Sequence, residues 1–140
     1  MSKVAVVYWS GTGNTEAMAE AVADGIREKG GEAVILTAGE FDRSMIEDYD
    51  SIAFGCPSMG DEELEESEFA PMFESCEPDL AGKKIALFGS YGWGDGEWMR
   101  KWEKTCKKAG AVFACDFVIC NDASDDDAVE KCRGLGKALV

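Results

Sequence analysis

Short unbroken apolar runs alternate along the chain with stretches in which apolar residues recur every three or four positions. Val4 to Trp9 is the first run, and it ends in a Ser/Gly/Thr/Asn cluster, the pattern of a strand buried on both faces. From Thr15 the period changes. Met18, Ala21, Val22, Gly25 and Ile26 fall on one helical face, and Gly30-Gly31 supply a stop. The alternation repeats through a strand at Ala33 to Thr37, a short helical stretch near Arg43 to Glu47 and a strand at Ser51 to Gly55. A helix near Glu66 to Ser75 and a strand at Ile85 to Gly89 follow. Next come a helix carrying Trp98, Trp102 and Cys106, an unbroken strand from Val112 to Cys120, and a last helix with Val129, Cys132, Leu135 and Leu139. Five strands alternating with five helices call for an α/β fold: a doubly wound five-stranded parallel sheet, helices on both faces, right-handed crossovers. No repeat or linker divides residues 1–140, which read as one domain.

In such a sheet ligands sit beyond the carboxyl ends of the strands, where the winding direction reverses. That directs attention to three loops, after strands one, three and four. Ser10-Gly11-Thr12-Gly13-Asn14-Thr15 lies between a buried strand and a helix N-terminus, where open backbone N–H groups and the positive dipole end suit a phosphate. The glycines allow close approach, and the hydroxyls of Ser10, Thr12 and Thr15 add uncharged donors. No Gly-Lys-Ser/Thr follows, so this is not a Walker loop; Glu16 stands where a dinucleotide fingerprint needs its third Gly. An ordinary Gly-rich turn with a Thr or Asn cap is the bland alternative. In Met59-Gly60-Asp61-Glu62, Gly60 stands where a type II′ turn demands positive φ. Rotation of the Gly60-Asp61 peptide would interconvert types II and II′ beside a ligand, unless this is simply an acidic surface turn. In Ser90-Tyr91-Gly92-Trp93-Gly94-Asp95-Gly96 an indole stands among glycines on a loop, suited to covering a planar ligand if it does not fold back on the core. Trp98 and Trp102, at helical spacing, read as core.

Charge narrows the function classes. With 14 Lys+Arg against 28 Asp+Glu, the net charge of -14 should repel nucleic acid and anionic lipid and attract basic patches on protein partners. No apolar run approaches the roughly 18 residues of a membrane span. Without His, and with cysteines at 56, 76, 106, 115, 120 and 132 forming no Cys-x-x-Cys pair, a metal centre is not expected. The thiols read as reduced and mostly buried, in a cytoplasmic protein, since the first apolar run is too short for a signal peptide. Cys115 and Cys120 have no assignable role.

Tyr-Trp-Ser-Gly-Thr-Gly-Asn-Thr at 8–15, Met-Gly-Asp-Glu at 59–62 and Phe-Gly-Ser-Tyr-Gly-Trp-Gly-Asp-Gly at 88–96 together resemble the flavodoxins. The likeness runs from Val4 through the last helix, and the chain is similar in particular to short-chain members from anaerobic bacteria. The long-chain branch carries an insertion splitting the last strand. The resemblance implies strand order 2-1-3-4-5 and non-covalently bound FMN, with Ser10, Gly11, Thr12, Gly13, Asn14 and Thr15 around the phosphate and the isoalloxazine between Met59 and Trp93. By the same resemblance Glu62 accepts from flavin N3–H, and the Gly60 carbonyl turns toward N5. Ser58, Asp61, Ser90, Tyr91, Gly92, Gly94 and Asp95 belong to the cofactor loops, and Asn121 reaches the cofactor. Pro57 departs from relatives that carry a hydroxyl residue there, which removes one phosphate contact.

The implied function is a low-potential one-electron carrier, shuttling between semiquinone and hydroquinone and serving redox proteins with basic docking patches. It turns over no small-molecule substrate, and monomer is the default for a transient shuttle. The charge agrees: each carboxylate about 10 Å from an anionic reduced flavin opposes it by about 0.4 to 1.7 kcal/mol before screening. Asp61, Glu62, Glu63, Glu65, Glu66 and Glu68 form the expected acidic docking cluster, or else a merely solubilising one. The rival on the same fold is an FMN-dependent NAD(P)H:quinone-type reductase, which needs an open flavin face. A phosphate-accepting receiver domain needs acids after strands one and three, where Trp9-Ser10 and Phe54-Gly55 stand.

Overall fold

The structure, a computed structural model, describes residues 2–60, 62–122 and 125–140. Its elements in chain order are β1 (Lys3–Tyr8), α1 (Asn14–Glu28), β2 (Glu32–Thr37), β3 (Ser51–Gly55), α2 (Phe69–Cys76), β4 (Lys84–Tyr91), α3 (Glu97–Lys108), β5 (Val112–Phe113), β6 (Val118–Asn121) and α4 (Asp126–Ala138). The sheet order is β2-β1-β3-β4-β5, every pair parallel, and β6 also pairs with β4. The winding reverses between β1 and β3, so the loops after β1 and β3 diverge at one end of the sheet and leave a crevice there.

Strand alternation sorts the two cores. Val4 and Val6 of β1, Ala53 of β3 and Ala86 and Phe88 of β4 face α1 and α4, packing on Met18, Val22, Ile26, Cys132 and Leu135. Ala5, Val7, Ile52, Phe54, Ile85 and Leu87 face α2 and α3, against Phe69, Phe73, Trp98 and Trp102. Buried on both faces, these strands carry continuous apolar runs, which is why periodicity finds them. Trp98 and Trp102 are core residues, as their spacing implies.

One expectation is corrected. The last strand is not continuous from Val112 to Cys120. β5 pairs with Lys84 and Ile85, β6 pairs with Phe88 to Tyr91, and the four residues 114–117 span the stretch where β4 uses Ala86 and Leu87. On an unbroken register Asp116 would stand beside Phe88 and face α1 and α4. The two extra residues leave Asp116 exposed and give that place to Val118, which is buried with Phe88. Burying an unpaired carboxylate costs several kcal/mol, which the bulge avoids. The short helical stretch expected near Arg43 to Glu47 is present as a 3-10 helix, Arg43–Asp48, and a shorter one, Ala38–Glu40, precedes it. Local side-chain bonds hold them: the Glu40 carboxylate accepts from the Thr37 N–H at 2.8 Å, and Asp42 accepts from the Ser44 N–H at 2.9 Å.

No disulfide joins the six cysteines, and burial pushes the thiols of Cys56, Cys106 and Cys132 up to about 12. Among the described residues no helix is long and apolar enough to cross a membrane.

Candidate functional site

The three loops singled out above leave the carboxyl ends of β1, β3 and β4. In the first, Gly13 takes φ +94°, a left-handed conformation that turns the chain into α1. The Gly13 N–H donates to Ser10 Oγ at 3.0 Å, and Ala17 N–H donates to the Gly13 carbonyl at 3.0 Å. The N–H groups of Asn14, Thr15 and Glu16 precede that bond and have no intrahelical acceptor, so they form an anion-favouring helix start. Thr12 and Gly11 are exposed. Thr15 is not: it is buried, and its hydroxyl lies 2.8 Å from that of Ser90, also buried. These two residues therefore tie the first and third loops together.

The second loop closes wider than a four-residue turn. Met59 and Glu63 exchange both backbone bonds, each at 2.8 Å. Gly60 has φ +53°, the sign that a type II′ first position requires. Asp61 lies outside the described residues. Glu62 also has positive φ, +55°, and is only 8 % exposed. Its Oε1 accepts the Asp95 N–H at 3.2 Å, which joins the second loop to the third. Gly94 permits this: a Cβ there would stand 2.1 Å from Glu62 Oε1. At the loop base, Ser58 N–H donates to the Ser90 carbonyl at 2.9 Å.

In the third loop Trp93 is 61 % exposed, so it does not fold back on the core, and Met59 is 38 % exposed. The Asp95 carboxylate pairs with Arg100 at 3.0 Å. Asn121, at the end of β6, turns its side-chain amide to the Tyr91 carbonyl at 3.4 Å.

Between the loops lies a cleft of about 200 Å³, lined by Gly11, Thr12 and Asn14, by Pro57, Ser58 and Met59, and by Ser90, Tyr91 and Gly92. Trp9 and Asp122 complete its lining. Neither is conspicuous in the sequence, although an aromatic residue directly before a Gly-rich loop is the signal for Trp9, whose ring lies against Gly11. A second cleft, about 420 Å³, opens on the other side of Trp9 toward Thr37, Glu16 and Glu68. Burial, with the hydrogen bond and charge of Glu16, pushes the Tyr8 phenol up; its hydroxyl donates to Glu16 Oε2 at 3.0 Å. No Lys or Arg is among the described residues lining either cleft. Another cavity, about 520 Å³, lies elsewhere, between α2 and α3.

The expected acidic cluster is divided by the fold. Glu63, Glu66 and Glu68 are exposed, but Glu62 is turned onto Asp95 and Glu65 is 5 % exposed. The Glu65 carboxylate accepts the N–H groups of Ser67, Glu68 and Phe69 at 2.8 to 2.9 Å, together with the Ser67 hydroxyl. Glu65 therefore caps the turn into α2 and is no part of a docking face. Burial works against its charge, but these bonds outweigh it and hold the carboxyl below its ordinary 4.5. Glu65→Ala should lower stability by about 1 to 2 kcal/mol near neutral pH, as loss of a helix cap does. Because the folded-state value is depressed, that difference should be full above pH 4.5 and shrink as pH falls below it. Urea unfolding of both proteins at about pH 7 and about pH 3 checks this.

The chain matches the family model "Flavodoxin" over residues 6–135. The flavodoxin of Clostridium beijerinckii is 44% identical over 136 residues, covering 96% of this chain and 97% of that protein. The flavodoxin of Megasphaera elsdenii is 42% identical over 137 residues, covering 98% of each. The solution structure of the two-electron reduced Megasphaera elsdenii flavodoxin superposes with a TM-score of 0.89 at 41% identity, covering 97% of each chain.

Proposed function

On the premise that the chain belongs to the flavodoxin family and is an electron-transfer protein, we propose that its flavin is FMN, held non-covalently in the cleft at the ends of β1, β3 and β4. Bound there, FMN supplies reversible one-electron redox chemistry. The observation that carries the assignment is the convergence, on one cleft, of open helix-start donors, two hydroxyl-rich loops and the exposed side chain of Met59, with the exposed Trp93 following directly on Gly92 of its lining. The N–H groups of the 10–16 segment and the hydroxyls of Ser10 and Thr12 would hold the phosphate. Thr15 and Ser90 fix the spacing between the loops. With no Lys or Arg among the described residues of the lining, dipoles would meet a dianion, which a helix N-terminus can do.

Met59 and Trp93 would give their exposed apolar surface to the ring, worth about 25 cal/mol per Å² buried, with Trp93 adding aromatic stacking. Such cover favours a carrier over a reductase that must admit nicotinamide, so no small-molecule turnover is assigned. Glu62, Gly60 and Asn121 stand on the loops that would meet the ring edge, alongside Ser58, Asp61, Tyr91, Gly92, Gly94 and Asp95. The Glu62–Asp95 bond keeps two of these loops together. The 140 residues would act as one FMN-binding unit, monomeric and cytoplasmic, passing electrons to redox proteins with basic patches.

Gly60 tests the role of the turn. Space is open around it, so Gly60→Ala adds only the strain of positive φ, about 1 to 2 kcal/mol. If the turn tunes the flavin, anaerobic potentiometry should find the first one-electron potential lower by about 40 mV for each 1 kcal/mol, since tenfold is about 59 mV for one electron. An unchanged potential would remove the turn from the mechanism.

A further inference from the structure

Asp95 has little in its own sequence to hold it. It is exposed, and it stands between two glycines in the left-handed region, Gly94 at φ +87° and Gly96 at φ +93°. Glycine leaves the backbone its widest range of conformations, so nothing local fixes where the Asp95 N–H points. Yet among the described residues that N–H makes the only hydrogen bond to the Glu62 carboxylate, at 3.2 Å, and Glu62 is buried with a positive φ that its surroundings must enforce. A buried carboxylate of the second loop thus depends on a donor in a loosely built segment of the third.

Arg100 grips that segment. Its Nη1 donates to the Asp95 carbonyl and its Nη2 to Asp95 Oδ1, each at 3.0 Å, so one planar fork holds both the main chain and the side chain of Asp95. The guanidinium passes Gly96, where a Cβ would lie 3.6 Å from Nη1. The helix itself does not call for a cation there. Arg100 is the fourth residue of α3, close to the positive end of the helix dipole, where a basic side chain is disfavoured. Nor does stability call for it: the two side chains are 52 % and 78 % exposed, and an ion pair in that setting contributes little. What the fork does is orient.

We propose that Arg100 is a positioning residue of the flavin site: by fixing the Asp95 backbone it aims the Asp95 N–H at Glu62 and so holds the Glu62 carboxylate in place on the second loop. Arg100 is not among the residues lining the cleft, and it acts through Asp95. The consequence for flavin rests on the FMN reading; the grip on Asp95 does not.

The test has an apoprotein arm and a flavin arm. In the apoprotein, hydrogen exchange at the Asp95 amide should quicken about tenfold or more in Arg100→Ala and in Arg100→Lys, which keeps the charge but loses the fork, while the core amides of β1 and β3 keep their rates. In fluorescence titrations Arg100→Ala should weaken FMN and riboflavin by the same factor, about fivefold or more, because the change is felt at the ring and not at the phosphate. In a Glu62→Ala background the same substitution should weaken both flavins by less than about twofold, since the residue it acts through is gone. An unchanged Asp95 exchange rate, a loss confined to FMN, or an equal loss in both backgrounds would overturn the proposal. If the parent protein takes up neither flavin, the cofactor reading fails, and the Asp95 exchange rates alone decide whether the grip exists.

Discussion

Thr12→Asp should weaken FMN binding by about a hundredfold or more while leaving riboflavin binding within about threefold. Thr12 is exposed on the first loop and lines the cleft beside helix-start donors, with no Lys or Arg among the described residues of the lining to absorb an added charge. Two like unit charges about 4 Å apart repel by about 1 kcal/mol in water and about 4 kcal/mol at an effective dielectric of 20. At about 1.4 kcal/mol per tenfold, a carboxylate beside a dianion falls in the hundredfold range or above. Riboflavin carries no phosphate and would not feel it. Titration of apoprotein by flavin fluorescence separates the cases. Equal loss of both flavins would mean that the loop had collapsed, and loss of neither would put the phosphate elsewhere.

Gly136→Ala should lower stability by about 2 kcal/mol, although it places a better helix former inside α4. The helices α1 and α4 touch backbone to backbone. A Cβ at Gly136 would stand 2.1 Å from the Val22 carbonyl oxygen, and one at Gly25 would stand 2.0 Å from the Arg133 carbonyl oxygen. Backbone cannot turn aside as a side chain can, so the helices must separate, and overpacking of this kind costs about 1 to 3 kcal/mol, more where nothing yields. Gly134, two residues away on the same helix, has nothing within 4 Å of such a Cβ. There the propensity gain of up to about 1 kcal/mol stands unopposed, so Gly134→Ala should stabilise. Urea midpoints of opposite sign at unchanged m-value would establish the contact. The same sign at both positions would contradict it.

The strands and the three loops are legible in the sequence for a physical reason. A strand buried on both faces needs an unbroken apolar run, as in Val4 to Val7, and a loop that approaches a ligand closely needs glycine, as at Gly13, Gly60 and Gly94. What escapes depends on a second segment. The break at 114–117 follows from where Asp116 would fall against Phe88, which requires the register of β4. Glu65 looks like its acidic neighbours in sequence and differs only because three backbone N–H groups curl around it. Thr15 and Ser90, read separately as ligand donors, hold each other across 75 positions of chain.

The most direct test of the carrier reading is anaerobic, stepwise chemical reduction of the FMN-loaded protein followed by its visible spectrum. Separated potentials require that a long-wavelength-absorbing, one-electron-reduced flavin accumulate near half reduction and then disappear. Direct bleaching of the oxidised spectrum, with no such species at the midpoint, would mean that the two potentials are not separated, and it would contradict the assignment of a one-electron carrier.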